Sequence, residues 1–146
     1  MYSEANRRAA MDTAVQQQRP TASGRVVLAQ EVRGSEAPGF VIYMPVFDRF
    51  GVGRQLRGFI YSPFNASDFI EAALRNEPED IHGIRLYDGD RADGRLMAEV
   101  SPTSERGGTA LQKLVIANRP MTLEVVSVRT ARLSDLSMLT LLFGLL

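Results

Sequence analysis

The sequence predicts an α+β protein made of two blocks, each with a helix followed by antiparallel strands. Two segments without internal glycine or proline, residues 6–18 and 66–75, have the composition of helices. The other apolar runs are rich in β-branched and aromatic residues, which is typical of strands. Most links between these runs are too short for a parallel crossover, so antiparallel pairing is expected.

The first block begins with the helix at residues 6–18, which ends before Pro20. Three strands are predicted after it, at residues 25–32, 39–47 and 55–61. Pro45 interrupts the second strand and predicts an edge position or a bulge there. The second and third strands are expected to form a long hairpin around the glycine-containing loop at residues 48–54.

The second block begins with the helix at residues 66–75, for which Asn65 is the expected N-cap. Four strands are predicted after it, at residues 84–87, 95–100, 110–117 and 121–128. The acidic, glycine-containing segment that starts at Asp88 has Glu99 in the twelfth position, as in a calcium-binding loop. Its flanks have the pattern of strands rather than helices, however, so a turn between strands is the preferred interpretation.

Charge and composition argue against several functions. The 17 basic and 17 acidic residues cancel, so the chain lacks the basic field that nucleic-acid binding uses. Arg7 and Arg8 are expected to form a solvated helix face. The sequence has no cysteine and one histidine, His82, in a predicted polar linker at residues 76–82. We therefore expect no metal site, no cofactor and no catalytic residue.

The C-terminal segment, residues 133–146, is apolar and has no charge after Asp135. A membrane-spanning helix needs about 20 apolar residues, so this segment is too short to span on its own. It is either a docked amphipathic helix or the start of a membrane span, and its apolar character on every face favours the span. The N-terminus has no apolar signal-peptide core, and we expect Met1 to be a fragment boundary.

Aromatic residues cluster on the two strands of the predicted hairpin: Phe40, Tyr43, Phe59 and Tyr61. Aromatic side chains on curved strands can line a small-molecule cavity, where tyrosine hydroxyls supply polar anchors. They can also form an ordinary core, and the residue pattern alone favours the core over a pocket.

Several segments, taken in order, resemble the CHASE domain, the sensory module of many membrane-bound histidine kinases and nucleotide cyclases. NRRAAMDTA resembles the family's helix, and SGRVVLAQEV resembles its following strand. GFVIYMPVF fits the pattern G-x-x-x-Y-x-P-V-[FY], and LRGFIYSPFNASDFIEAAL fits the continuation G-[FYW]-[IV]-x-x-x-[FY]-x-x-x-[DN] into a helix. IRLYDGD resembles the next strand. The resemblance covers about residues 1–129.

This resemblance implies a domain of tandem PAS-like subdomains with antiparallel sheets, the first one incomplete because the stalk helix and the opening strands are missing. Residues 1–63 would complete the membrane-distal subdomain, residues 64–130 would form the membrane-proximal one, and residues 131–146 would begin the second transmembrane helix. The resemblance also implies a location on the periplasmic or extracellular side of the cell membrane.

The resemblance to the plant cytokinin receptors of this family implies ligand-binding positions at Ser3, Ala29, Tyr43 and Phe59, to which Tyr61 is added from the aromatic cluster. Ala29 stands where those receptors have a polar residue, and Tyr43 stands where they have a threonine. The resemblance therefore predicts a small-molecule ligand without predicting that the ligand is a cytokinin.

The predicted function is that of a non-enzymatic sensor in a receptor that signals to a cytoplasmic kinase or cyclase. Its expected partners are a small-molecule ligand, the membrane through the apolar C-terminal segment, and a second copy in a receptor homodimer. No nucleic-acid partner is expected. The alternative is a structural or dimerisation module without a ligand of its own, which a sheet packed solid at Tyr43 and Phe59 would favour.

Overall fold

Helices and strands follow one another along the chain in the predicted order, except that a short strand at residues 21–22, which was not predicted, precedes the three strands expected in the first block. The computed structural model describes residues 4–29, 36–48, 53–75, 81–100 and 108–127. The α-helices are α1 (Ala5–Gln17) and α2 (Ala66–Leu74). The strands are β1 (Thr21–Ala22), β2 (Val26–Ala29), β3 (Glu36–Phe47), β4 (Leu56–Asn65), β5 (Ile81–Asp88), β6 (Leu96–Val100), β7 (Gly108–Ile116) and β8 (Arg119–Ser127). A mixed α/β fold is therefore confirmed.

The first sheet is built around β3, which pairs with β4 on one side and with β1 and β2 on the other, all antiparallel. Tyr43 of β3 lies directly opposite Tyr61 of β4, so the predicted long hairpin is confirmed. Tyr43 is also the last residue of β3 in register with β1. Pro45 therefore lies where β3 pairs with β4 alone, which is the edge position that proline tolerates.

The second sheet has the strand order β6-β5-β8-β7 and is also antiparallel. The connection after Asp88 is the predicted turn, with Gly89 and Gly94 at φ +81° and +66°, the left-handed region that favours glycine. One sequence interpretation is wrong here. His82 was expected in a polar linker, but it lies within β5, because this strand already pairs with Ser127 of β8 at Ile81.

The alternation of side chains along β3 gives the first sheet two different faces. Phe40 points to a core that α2 and the second sheet complete. Val41 and Tyr43 point to the opposite face, where they pack with Ala10 and Met11 of α1. The first sheet is therefore covered by α1 on one face and by α2 and the second sheet on the other.

The N-terminus of α2 is fixed by the residue that the sequence predicted. The Asn65 side-chain oxygen accepts hydrogen bonds from the backbone N–H groups of Ser67, at 2.9 Å, and Asp68, at 3.4 Å. This N-cap satisfies donors that a helix start leaves unpaired.

The predicted C-terminal segment, residues 131–146, lies outside the described residues. In the described part of the chain, neither helix combines the length and apolar character that crossing a bilayer requires.

Candidate functional site

A cleft of about 490 Å³ opens on the α1 side of the first sheet. Its size is within the range of about 300–1,000 Å³ that is usual for small-molecule sites. The lining residues come from both helices and from three strands: Arg7, Leu28, Val41, Tyr61, Pro63, Asn65 and Asp68. We call this the α1 cleft.

The floor of the α1 cleft is apolar, and its rim is polar. Val41 of β3 and Pro63 of β4 are register partners, and Tyr61 lies two residues before Pro63, so these side chains share one face. Leu28 of β2 extends the floor. Asp68 comes from the first turn of α2, which begins as soon as β4 ends. The abrupt change from strand to helix thus brings a carboxylate to the edge of an apolar floor.

Arg7 forms the other side of the cleft, and here the structure corrects the sequence interpretation. Arg7 was expected to lie on a solvated helix face, but its side chain is only 19% exposed. The reason is helical spacing, since Arg7 precedes the buried residues Ala10, Met11 and Ala14 by three, four and seven positions. Arg8 lies outside this stripe and is exposed.

The charge of Arg7 is compensated, but its buried N–H group is not hydrogen-bonded. The Glu4 carboxylate approaches Arg7 Nε to 2.6 Å. Nevertheless Nε is a buried donor without a well-directed hydrogen-bond acceptor among the described residues. Glu4 itself is 43% exposed, so this carboxylate is free to exchange with solvent or with another anion.

Tyr43 lies beside Arg7 and is completely buried. Within the described part of the chain its hydroxyl has no well-directed hydrogen bond, although the Arg7 guanidinium lies close enough to interact with it. Burial raises the pKa of Tyr43, and the Arg7 guanidinium offsets part of this rise. The hydroxyl is therefore protonated at neutral pH and can donate a hydrogen bond. Arg7 lines the α1 cleft, and the buried Tyr43 hydroxyl lies behind it, next to the guanidinium.

The residues predicted as a ligand site are distributed over several environments. Tyr61, 51% exposed, lines the α1 cleft. Phe59 lines a second cleft of about 320 Å³ together with Leu56 and residues of α1. Tyr43 is a core residue below them, with ring centroids 6.1 Å from Phe59 and 6.3 Å from Tyr61. Within the aromatic cluster, Tyr61 and Phe59 thus line clefts and Tyr43 belongs to the core, and their contact with a ligand stays a prediction.

The two remaining predicted ligand positions are Ala29 and Ser3. Ala29 is the last residue of β2 and pairs with Glu36 of β3, but its side chain is not described. Ser3 lies outside the described residues. Their assignment to a ligand site stays a prediction.

Six of the seven residues that line the α1 cleft were not predicted as ligand contacts, and three of these six are polar: Arg7, Asn65 and Asp68. The helical spacing of Arg7 from the apolar residues Ala10 and Met11 could have shown that Arg7 faces the sheet. Asn65 was assigned only as a helix cap. Nothing in the sequence indicated that the start of α2 would line the same cleft as α1.

A buried carboxylate of the second sheet pairs with an arginine of the same sheet and also accepts a hydrogen bond from the residue that precedes β2 of the first sheet. Asp88, 2% exposed, accepts hydrogen bonds from Arg119 Nε at 2.6 Å and Nη2 at 3.0 Å, and from the backbone N–H of Arg25 at 3.0 Å. Burial alone would raise the pKa of Asp88, but these hydrogen bonds and the nearby guanidinium charges lower it below its usual value. The backbone N–H of Ala22 also donates to the Ala117 carbonyl at 2.8 Å.

A second buried carboxylate, Glu124, lies within the second sheet. The Tyr87 hydroxyl donates to it at 2.9 Å, and Arg91 lies 3.3 Å away. Burial, together with the hydrogen bond to Glu124 and its charge, raises the pKa of Tyr87. Glu124 is therefore part of a paired structural cluster. Among the described residues, no three acidic, histidine or cysteine side chains converge as metal ligands would.

Comparison with known proteins identifies one family. A family model of the CHASE domain matches residues 1–98 of this chain, which include α1, the first sheet and α2. The matched region therefore contains every residue that lines the α1 cleft. No curated protein sequence matches the chain.

Proposed function

Since this chain belongs to the CHASE domain family, whose members are non-catalytic, extracytoplasmic sensory domains of signalling receptors, we propose that it senses a small molecule bound in the α1 cleft. The observation that carries this proposal is the composition of the cleft. An apolar floor with a few convergent polar groups is the usual form of a small-molecule site.

The proposed architecture of the receptor is the one that the resemblance to CHASE domains implies. The two sheets correspond to tandem PAS-like subdomains, with a boundary near residue 63. The domain lies on the periplasmic or extracellular side of the membrane. The output is a cytoplasmic kinase or cyclase, and the C-terminal segment at residues 131–146 leads into the membrane.

Signalling requires that the ligand bind one of two conformations more tightly than the other. The junction at Asp88 supplies a physical connection for such a change. Leu28 of the cleft floor belongs to β2, and the backbone of Arg25, just before that strand, is hydrogen-bonded to Asp88. Asp88 in turn is the register partner of Met121 in β8. A shift of β2 would therefore be transmitted to the last described strand of the chain.

A thermal-shift screen of the chain against a metabolite library tests the proposal. We expect at least one compound class to raise the melting temperature by mass action. The Tyr61→Ala variant should abolish that shift. Ser62→Ala, which changes the neighbouring exposed residue on the other face of β4, is the matched control and should retain it. No stabilisation by any compound, or equal shifts in both variants, would contradict the proposal.

A second candidate function is self-association, which a different observation favours. Apolar side chains on the β3–β4 hairpin are exposed on the face that α1 does not cover: Met44 is 45% exposed and Ile60 is 67% exposed. Such a patch is typical of an interface. Light scattering with Ile60→Ser would test it. A dimer that the variant converts to monomer supports the interface, and a wild-type monomer at all concentrations argues against it.

A further inference from the structure

We propose that the α1 cleft is selective for a small monocarboxylate with an apolar body, whose carboxylate accepts hydrogen bonds from Arg7 and Tyr43. This inference rests on the proposed sensory function and specifies the chemical class of the ligand.

The first argument is a pair of buried polar groups without well-directed hydrogen bonds among the described residues. Arg7 Nε and the Tyr43 hydroxyl are both buried, and neither has a well-directed partner among the described residues. A buried polar group that lacks a partner is costly, so such groups are normally satisfied. An acceptor placed between them would satisfy both donors at once. Guanidinium groups favour carboxylates because their N–H groups match the two carboxylate oxygens.

The second argument is the position of Glu4. Its carboxylate oxygen lies 2.6 Å from Arg7 Nε, which means that this end of the cleft already accommodates a carboxylate beside the guanidinium. Glu4 is 43% exposed and can turn to solvent, so a ligand carboxylate with better geometry can replace it.

The third argument distinguishes a monoanion from a phosphate. Arg7 is the only cation among the residues that line the cleft in the described structure, whereas Asp68 lines it and Glu4 lies beside Arg7. Two carboxylates near one guanidinium repel a dianion more strongly than a monoanion. The apolar floor formed by Leu28, Val41, Tyr61 and Pro63 then requires that the rest of the ligand be apolar.

The test is calorimetric titration of the chain with phenylacetate, indole-3-acetate and hexanoate, each paired with its primary amide, and with inorganic phosphate. We expect the carboxylates to bind and the amides to bind at least about tenfold more weakly, since a hydrogen bond to a charged group is stronger than a neutral one. Arg7→Gln should reduce carboxylate affinity by about ten- to hundredfold. Arg8→Gln, which changes the exposed neighbour on α1, should leave it unchanged.

Two further variants separate the inference from an effect on folding. Glu4→Gln removes the internal competitor and should raise carboxylate affinity roughly two- to fivefold, in keeping with the weakness of exposed ion pairs. Tyr43→Phe should lower carboxylate affinity about three- to tenfold. It should not lower the melting temperature, because the hydroxyl that it removes has no well-directed hydrogen bond in the described structure.

Several results would overturn the inference. Amides that bind as well as carboxylates, tighter binding of phosphate, or affinities that Arg7→Gln leaves unchanged would each do so. If none of these carboxylates binds while other library compounds give shifts that depend on Tyr61, the carboxylate inference fails and the sensory function stands. If no compound of any class binds, both fail together.

Discussion

The Arg119 guanidinium holds the buried carboxylate of Asp88 with two hydrogen bonds, from Nε to Oδ1 at 2.6 Å and from Nη2 to Oδ2 at 3.0 Å. Because the backbone of Arg25 donates to the same carboxylate, this ion pair connects the sheet that carries the α1 cleft to the sheet that follows it. Its removal should therefore affect both stability and the coupling of the two sheets.

We expect Asp88→Asn to destabilise the folded state by roughly 2 kcal/mol at neutral pH, because it removes the charge from a hydrogen-bonded buried pair. Urea unfolding followed by circular dichroism measures this change. Asp90→Asn is the matched control in the same turn, where the exposed Asp90 pairs with the exposed Lys113, and it should change the stability little. Equal effects of the two substitutions would contradict a structural role for the Asp88 pair.

The pH dependence of stability follows from the same pair. The pKa of Asp88 is lowered in the folded state. Its contribution is therefore fully present above the unfolded-state pKa of about 3.9, and it is lost as the pH falls through the lower folded value. The wild type should lose more stability on acidification than Asp88→Asn does. Parallel acid unfolding curves for the two proteins would show that Asp88 is not the group involved.

Tyr87→Phe tests the buried cluster around Glu124. The substitution leaves this carboxylate, 2% exposed, without the hydroxyl that donates to it, and should cost about 1–2 kcal/mol. The raised pKa of Tyr87 means that its contribution is fully present below about pH 10 and is lost as the pH rises through the folded value. Tyr61→Phe, at an exposed position, is the control. Its effect on stability should be close to zero.

Asn65→Ala should destabilise the chain by about 1 kcal/mol through loss of the α2 N-cap. Asn65→Asp keeps the acceptor and adds a negative charge at the positive end of the helix, so it should retain the stability. Thermal unfolding of the two variants measures the difference. If the two variants lost the same amount of stability, loss of the N-cap would not be the cause of the destabilisation.

Gly39→Ala tests the close approach of β3 to its neighbours. A Cβ atom at this position would lie 2.3 Å from the Phe64 carbonyl oxygen and 2.6 Å from Leu28 Cδ1. The carbonyl belongs to the β3–β4 ladder and cannot move freely, so overpacking should cost roughly 1–3 kcal/mol. Ser62→Ala on the same hairpin is the control. If the Gly39→Ala protein were as stable as this control, the neighbouring strands would accommodate the added methyl group without an energetic cost.

The sequence predicted the secondary structure well because the relevant signals are local. The β-branched and aromatic composition of β3 and β4, the helix-forming composition of α1 and the cap at Asn65 are all signals that act within a few positions of the chain. Helix spacing also held the information that Arg7 faces the sheet. That information was missed because Arg7 and Arg8 were interpreted together as one solvated pair.

The site itself could not be predicted in the same way, because it depends on residues far apart in sequence. Arg7 and Asp68 meet at one cleft only because the first sheet brings the starts of α1 and α2 to the same face. The pairing of Asp88 with Arg119 likewise depends on how β5 and the β7–β8 turn come together. Tyr43 was predicted as a ligand contact from a family position; its ring is buried in the core, and its contact with a ligand stays a prediction.

The central claim is that the α1 cleft is where this sensory domain binds its ligand. Amide chemical-shift mapping by NMR, with the most stabilising compound of the metabolite screen, tests it most directly. We predict that the largest shift changes will fall at Arg7, Leu28, Val41, Tyr61 and Asp68, with smaller changes reaching Asp88 and β8. The claim would be contradicted if a saturating concentration of the compound left the amide resonances of these residues unchanged. In that case only resonances on the exposed face of the β3–β4 hairpin or on the second sheet would shift.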